Sequence, residues 1–498
     1  MEIYVLLAVI SVLVLILLSS RKHYKFPPGP PRWPIIGNIL ELRKWGSSPH
    51  LVLQKVSERY GEIAGFYLGN NPVVVISGLV PIHEVSTRDD FCGRPPNPYN
   101  MFNVHGEIFG ITTSSGHKWL QHRQFAVKHL ANGSKGLEEI VHEEIRSVLS
   151  EMEHLIDGSD ESKITPVQDI LAMANLNTLL HLIIGKRFEY SDPTLRKLMH
   201  NIRKIWSITD PCGGLFAVYP LIPNSFFQSS KISGVKKLYN WLQYFFQEEF
   251  DQHRKNYDSG VIKDYIDAFI SEISNQDSDP DTTFTENQLI ATCFEFLAGG
   301  TITTHNTLSY ALLYMVLYPE IQSAVQAELD EVVGPNRLPN LGDRPKLCYT
   351  EATLLEVFRK SCVFPLAIPH ASFDQKEDIT YREYTIPKNA RVILNIHGLH
   401  HDPKVWNDPA NFRPARFLDE EGKAVGHDGL LPFGIGKRSC IGEAVAHSTL
   451  ILFFSTLMLM YTFKIPSGET IPAEDPVGHF LQSPQRFAVQ MEYRNQKK

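Results

Sequence analysis

The chain has no surplus of positive charge: 48 Lys and Arg stand against 55 Asp and Glu, for a net charge of -7. That excludes the basic stripe by which a protein holds nucleic acid. Paired cysteines are missing too. Six thiols, at 92, 212, 293, 348, 362 and 440, are scattered without C-x-x-C spacing, which excludes a disulfide scaffold and points to a reducing compartment. There is no internal repeat and no low-complexity tract. What remains is a chain of 498 residues, 43% hydrophobic and 21% charged, able to bury a large core in one domain or two.

Charge is also absent from residues 3–18, an apolar run in which only Tyr4 and Ser11 carry a hydroxyl. Arg21, Lys22, His23 and Lys25 follow it. The run is about long enough to span a bilayer. A cleaved signal peptide is the competing reading, but no basic segment precedes the run and no small-x-small cleavage pattern follows it. The expected organisation is a single transmembrane anchor over 1–20, a basic and proline-rich linker over 21–38, and a catalytic body over 39–498. The basic cluster after the anchor places that body on the cytosolic side.

Within the body, helical spacing predicts helices at 51–60, 117–130, 135–155, 168–185, 194–206, 231–255, 262–274, 285–317, 319–332 and 348–361. A hairpin is predicted from 63–68 and 73–76 around Gly69-Asn70-Asn71-Pro72, and strands return only at 391–396 and 487–493. The fold class is therefore mainly α with small β-sheets (α+β). The apolar, irregular stretch 206–227 reads as a lid over an apolar pocket.

Two stretches carry chemistry. In the first, Cys440 follows the glycines of Phe433-Gly434-Ile435-Gly436 and precedes an apolar run that reads as a helix. A sulfur at a helix N-terminus meets free backbone N–H groups and the positive end of the helix dipole, which favour thiolate. Gly434, Gly436 and Gly442 let backbone pass close to a large flat ligand. Arg438 supplies a fixed cation for anionic groups. The bland alternative is a core cysteine beside a turn. In the second, Thr285-x-x-Gln288 has the form of a capping box, and helical spacing then runs until Pro319. Its middle is Ala298-Gly299-Gly300-Thr301-Ile302-Thr303-Thr304. Two interior glycines cost about 2 kcal/mol of helix propensity, so they need a reason.

Phe433-x-x-Gly436-x-Arg438-x-Cys440-x-Gly442 resembles, position for position, the haem-binding signature of the cytochrome P-450 family of haem-thiolate monooxygenases. The segments from His253 to Asp258 and from Asp264 to Phe269 resemble its microsomal branch. The resemblance implies the family fold behind an N-terminal anchor in the endoplasmic reticulum membrane. It implies haem b (iron protoporphyrin IX) ligated by Cys440 and cradled by Phe433, Gly434 and Gly442, with Trp119, Arg123, His370 and Arg438 meeting its propionates. It implies that Gly299 and Gly300 open a groove for O2, with Thr303 and Thr304 handling protons. Family members carry an acid where this chain has Ile302, so the relay is expected to fall on Thr303, Thr304 and water. Glu356, Arg359 and Arg416 are implied to form a buried network. Phe296, Val363, Ile368, Phe480 and Leu481 are implied to face the substrate.

The activity expected is insertion of one oxygen atom from O2 into a small apolar substrate. Electrons would come from NADPH through a diflavin reductase docked near Arg123, Lys128 and Lys437, and membrane lipid is the other expected partner. Epoxidation of a terpenoid such as methyl farnesoate in juvenile hormone biosynthesis is the specific expectation. Steroid, fatty acid or xenobiotic hydroxylation is its rival. A haem-thiolate isomerase or dehydratase that needs no reductase, and a haem-free binding protein, are the other classes left open.

Overall fold

The computed structural model describes residues 3–4, 10, 24–95, 103–104, 107–132, 134–157, 163–164, 167–208, 229–258, 260–276, 281–374, 376–478 and 480–494. The anchor expected over 1–20 falls outside them but for three positions, and the lid expected over 206–227 falls outside them beyond residue 208.

Helices dominate. In chain order they include α1 (Pro49–Tyr60), α2 (Leu79–Thr87), α3 (Gly116–Asn132), α4 (Ser134–Asp157), α5 (Val167–Ile184), α6 (Pro193–Ile208), α7 (Ser229–Asn256), α8 (Tyr265–Asn275), α9 (Glu286–Leu317), α10 (Pro319–Val332), α11 (Cys348–Ser361) and α12 (Glu443–Met460). At about 1.5 Å per residue, α9 is long enough to cross the body. It packs along α5, α7, α11 and α12. Such a helix has no solvent face to keep polar, which is why its apolar residues surround it instead of forming one stripe. Thr285 caps it by accepting the Gln288 N–H at 3.3 Å. The other half of the capping box is not made, because the Gln288 side chain turns to Thr292 and accepts the Gly110 N–H. Tyr318 ends the helix, since Pro319 has no N–H to continue it.

The hairpin forms as β1 (Ile63–Leu68) and β2 (Asn71–Ile76), antiparallel with Ile63 opposite Ile76, and its turn is Gly69-Asn70 alone. β3 (Arg391–Leu394) adds to β2 in parallel, Val73 opposite Arg391. A second sheet pairs β4 (Tyr461–Lys464) with β5 (Val489–Tyr493), joined by Lys163–Ile164. Three features differ from the sequence reading. α2 forms in spite of Pro81, which sits in its first turn where no N–H partner is lost. β4 continues the apolar run of α12 without a break in composition, so nothing in the pattern announces it. The hairpin of Ile379–Tyr381 and Tyr384–Ile386 has strands too short to show alternation.

Among the described residues, two helices, α5 and α12, are long and apolar enough to cross a membrane, and both are mostly buried inside the body.

Candidate haem-thiolate site

One cavity of about 440 Å³ lies between the middle of α9, the N-terminal half of α3, the segment after α11 and the loop before α12. Its wall includes Cys440, Phe433, Gly434, Gly442, Trp119, Arg123, His370 and Arg438, expected to hold the cofactor, and Phe296, Gly299, Gly300, Thr303, Thr304, Val363, Ile368 and Phe480, expected to meet O2 and substrate. Leu481 does not join them. It packs into the cores beside α9 and the first sheet, because the chain bends at 480–481 and Phe480 takes the cavity side.

The loop before α12 closes on itself: the Cys440 N–H donates to the Phe433 carbonyl at 2.8 Å. The helix starts at Glu443 with Gly442 as its N-cap residue, so Cys440 stands just outside it. The expected pull toward thiolate is only partly present. Burial pushes the Cys440 thiol up, and the Gly442 N–H and Arg123 oppose that without overcoming it. A bound cation is what would deprotonate this sulfur. The three glycines do three different jobs. Gly434 has φ 69° and lines the cavity, with almost nothing near where a Cβ would stand. Gly442 keeps the space beside the sulfur open. Gly436, with φ 78°, does not face the cavity at all; a Cβ there would overlap the Ser86 carbonyl at the end of α2. Its contact is protein, not ligand.

At one end of the cavity three guanidiniums crowd together. Arg438 donates to the carbonyls of Cys92, Ile111 and Ser114 and lies 3.7 Å over the Trp119 ring. Arg94 donates to the carbonyls of Thr112, Ile368 and Pro369. Arg123 donates to the Ser439 hydroxyl at 3.2 Å. Burial, with Arg94 alongside, pulls Arg438 down to about 8, and burial pulls Arg94 down to about 10. Buried cations in such numbers call for an anion. Trp119, 2% exposed, has an indole N–H with no acceptor, a donor left waiting in the same place. His370 gives its Nδ1 proton to the Phe91 carbonyl, and burial together with Arg94 holds the ring neutral, with its pKa down to about 3. Its other nitrogen can therefore donate to an anion only if that anion brings a second proton onto the ring. A thiol facing the cavity, a positive end, an orphan donor and a glycine cradle together fit haem with two propionates.

Across the cavity, Thr303 donates its hydroxyl to the Gly299 carbonyl at 2.7 Å, a back-bond that bends helices. A Cβ at Gly299 would meet open space, so its hydrogen widens the cavity. Gly300 differs: a Cβ there would stand 2.9 Å from Leu179 of α5, so this glycine serves helix packing as well as the wall. Ile302 is buried among apolar side chains and does not line the cavity. Glu295, one turn before Gly299, does. It accepts the N–H groups of Ile111 and Thr112, and burial pushes its carboxyl up to about 7. Sequence reasoning missed Glu295 and Arg94, since neither belongs to a spacing pattern.

Behind the cysteine loop, Glu356 and Arg359 are fully buried and bidentate at 2.7 and 2.8 Å. Arg416 reaches Glu356 at 3.1 Å, and the Arg413 N–H donates to it at 2.9 Å. Arg359 in turn holds the carbonyls of His400 and Asn411. Phe433 packs edge-on against Phe358 of the same helix. On the outside, Lys128 is exposed and Lys437 is paired with Asp89, whereas Arg123 turns inward. The only described group with metal-ligand spacing outside this site is His253, Asp264 and Asp267. There both imidazole nitrogens already face acceptors, the Glu249 carbonyl and the Asp264 carboxylate, so the ring is a charged bracket between α7 and α8.

Comparison with known proteins gives the family. The family model described as Cytochrome P450 matches residues 27–491. Farnesoate epoxidase of Bombyx mori is 32% identical over 498 residues, covering 98% of this chain and 98% of that protein. Cytochrome P450 2J5 of Mus musculus is 35% identical over 496 residues, covering 97% and 94%, and cytochrome P450 2J2 of Homo sapiens is 33% identical over 482 residues, covering 93% and 92%. With a cysteine loop, a cation-lined end and a glycine-opened long helix converging on one cavity, and with that match over nearly its whole length, the chain belongs to the cytochrome P450 family of monooxygenases.

Proposed function

We propose that this chain is a membrane-anchored epoxidase of a linear terpenoid ester of the methyl farnesoate kind, fed with NADPH electrons by a diflavin reductase. The observation that carries the monooxygenase part is the Cys440 sulfur sharing a cavity with Gly299 and Thr303 of α9. When bound, haem supplies the iron centre at which O2 is activated. Cys440 would ligate it, Arg94, Arg123, Arg438 and the Trp119 indole would hold its propionates, and Gly434 and Gly442 would give it room. Thr303 keeps a hydroxyl at the cavity wall for proton transfer, with Thr304 beside it. Ile302, packed among apolar side chains, takes no part in that transfer.

Support for the substrate comes from two directions. The wall near α9 is built from Phe296, Val363, Phe364, Ile368 and Phe480, so a ligand is held mainly by apolar burial. The relative from Bombyx mori named farnesoate epoxidase aligns end to end. Hydroxylation of a steroid, fatty acid or foreign apolar molecule is the rival, to be separated by product. The catalytic body stands on the cytosolic face of the endoplasmic reticulum, anchored by residues 1–20, with the reductase meeting the face that carries Lys128 and Lys437.

The test is product analysis by mass spectrometry after incubation with reductase, NADPH and methyl farnesoate, a fatty acid and a steroid. A product one oxygen heavier from methyl farnesoate, carrying an epoxide, is expected. Oxidation of only the steroid or fatty acid overturns the substrate assignment. A Cys440→Ser variant that keeps the wild-type spectrum of the reduced protein with carbon monoxide overturns the site itself.

A further inference from the structure

Five consecutive carbonyls in the middle of α9 each carry a second, side-chain donor. Leu297 takes the Thr301 hydroxyl at 2.6 Å and Gly299 the Thr303 hydroxyl at 2.7 Å. Gly300 and Thr301 share the Asn175 amide of α5, at 3.0 and 2.8 Å. Ala298 takes the indole N–H of Trp206, from α6, at 2.9 Å. A helix carbonyl drawn toward an outside donor tilts away from the axis and loosens the bond it accepts from four residues on. The stretch that contains the cavity glycine and Thr303 is therefore shaped by its neighbours as well as by its own ladder.

Trp206 differs from the other donors because its ring has a second task. The indole lies parallel to Phe480 with centroids 6.0 Å apart, and Phe480 meets Phe364 edge-on at 4.7 Å. All three line the cavity. Three segments far apart in sequence thus build one aromatic wall, and the member contributed by α6 is tied through its N–H to α9. Only tryptophan joins a face of this size to a donor.

We propose that Trp206 is both a specificity-determining and a positioning residue: its ring bounds the space open to an apolar substrate, while its N–H holds the Ala298 carbonyl and so the shape of α9 at Gly299 and Thr303. A substrate that presses on the wall acts on the groove through one side chain. This rests on the monooxygenase reading above and adds the residue that links substrate fit to coupling.

Two variants of the haem-loaded protein separate the two tasks. Trp206→Phe keeps a ring against Phe480 and deletes the N–H; Trp206→Ala deletes both. For Trp206→Ala, the dissociation constant of methyl farnesoate, measured by equilibrium dialysis without reductase, rises about tenfold as the apolar wall is lost, and oxidation spreads over more positions. For Trp206→Phe, affinity stays within about twofold, while hydrogen peroxide released per NADPH rises about threefold or more, in line with one lost hydrogen bond. Wild-type peroxide release in Trp206→Phe overturns the inference. So does wild-type affinity in Trp206→Ala. If the wild-type enzyme oxidises nothing offered, the substrate reading has failed; peroxide release on NADPH oxidation in Trp206→Phe then decides this one by itself, and Trp206→Phe also decides it if Trp206→Ala does not fold.

Discussion

Gly434 and Gly436 stand two residues apart in the same loop, both with left-handed backbone, and the structure assigns them different neighbours. An alanine at either position has to adopt that conformation, at a cost of roughly 1–2 kcal/mol. At 436 the added methyl also overlaps the Ser86 carbonyl, a backbone atom at the end of α2 that cannot rotate away. Overpacking of this kind adds about 1–3 kcal/mol. Gly436→Ala should therefore lower the stability of the haem-free protein by about 2–5 kcal/mol, and Gly434→Ala by about 1–2 kcal/mol. Loading with haem should reverse which variant matters. The methyl at 434 stands at the cavity wall with its nearest neighbour 3.9 Å away, so it is tolerated until something flat arrives. Urea unfolding of the haem-free forms, followed by haem titration of each, checks both halves. Equal unfolding midpoints for the two haem-free variants, or wild-type haem affinity in Gly434→Ala, would refute the separation of a protein-facing glycine from a ligand-facing one.

Glu356→Gln should lower the thermal midpoint and the haem content together, because it leaves the fully buried Arg359 without a carboxylate and Arg416 with Asp408 alone, at about 3–5 kcal/mol; an unchanged unfolding midpoint would show that the backbone carbonyls and Asp408 hold the arginines. Thr303→Val should raise the peroxide released per NADPH, whereas Ile302→Val, altered at a side chain that does not reach the cavity, should leave it alone; the reverse order counts against the assignment of protons to Thr303. The imidazoles of His397 and His401 stack with ring centroids 4.1 Å apart and are held neutral, burial lowering His397 to about 2 and His401 to about 4. The unfolded chain takes up these protons near pH 6.5 and the folded one does not, so their contribution is present above that pH and lost as pH falls toward 4. A His397→Asn, His401→Asn double variant should lose less of its urea midpoint between pH 7.5 and pH 5 than the wild type; an equal loss would assign the acid sensitivity to other groups.

What could be read from the residues alone was local. The helix over 286–317 and its stop at Pro319 followed from spacing and one imino acid, and the β1–β2 hairpin from an apolar, aromatic run and a β-branched run on either side of Gly69-Asn70. The loop at Cys440 was legible because five positions at fixed intervals carry it. Contacts between segments were not. Arg94 lies between a glycine and a proline with no periodic partner, and only the folded chain brings it beside Arg438. The link between Trp206 and Ala298 spans 92 positions and leaves no trace in either neighbourhood. The thiolate argument failed in part for a similar reason: a helix dipole can be read from sequence, but the protein packed around a cavity-facing sulfur, which disfavours its charged form, cannot. Gly436 shows the limit from the other side, since the motif marks the residue as special without telling whether ligand or protein presses on it.

Gln482 binds the end of the chain to its middle. Its carbonyl accepts the Asn306 amide of α9, its N–H donates to the Val363 carbonyl, and its side chain meets His50. Phe480, two residues earlier, is thereby set into the pocket wall. The sulfur, the helix behind it and this last wall are contributed by residues 440–482, whereas Arg94, Trp119 and Arg123 lie more than three hundred positions earlier, so the chamber closes only when segments far apart in the chain have met. A chain cut before residue 480 keeps Cys440 but loses Phe480, which leaves the cofactor cradle standing open on its substrate side.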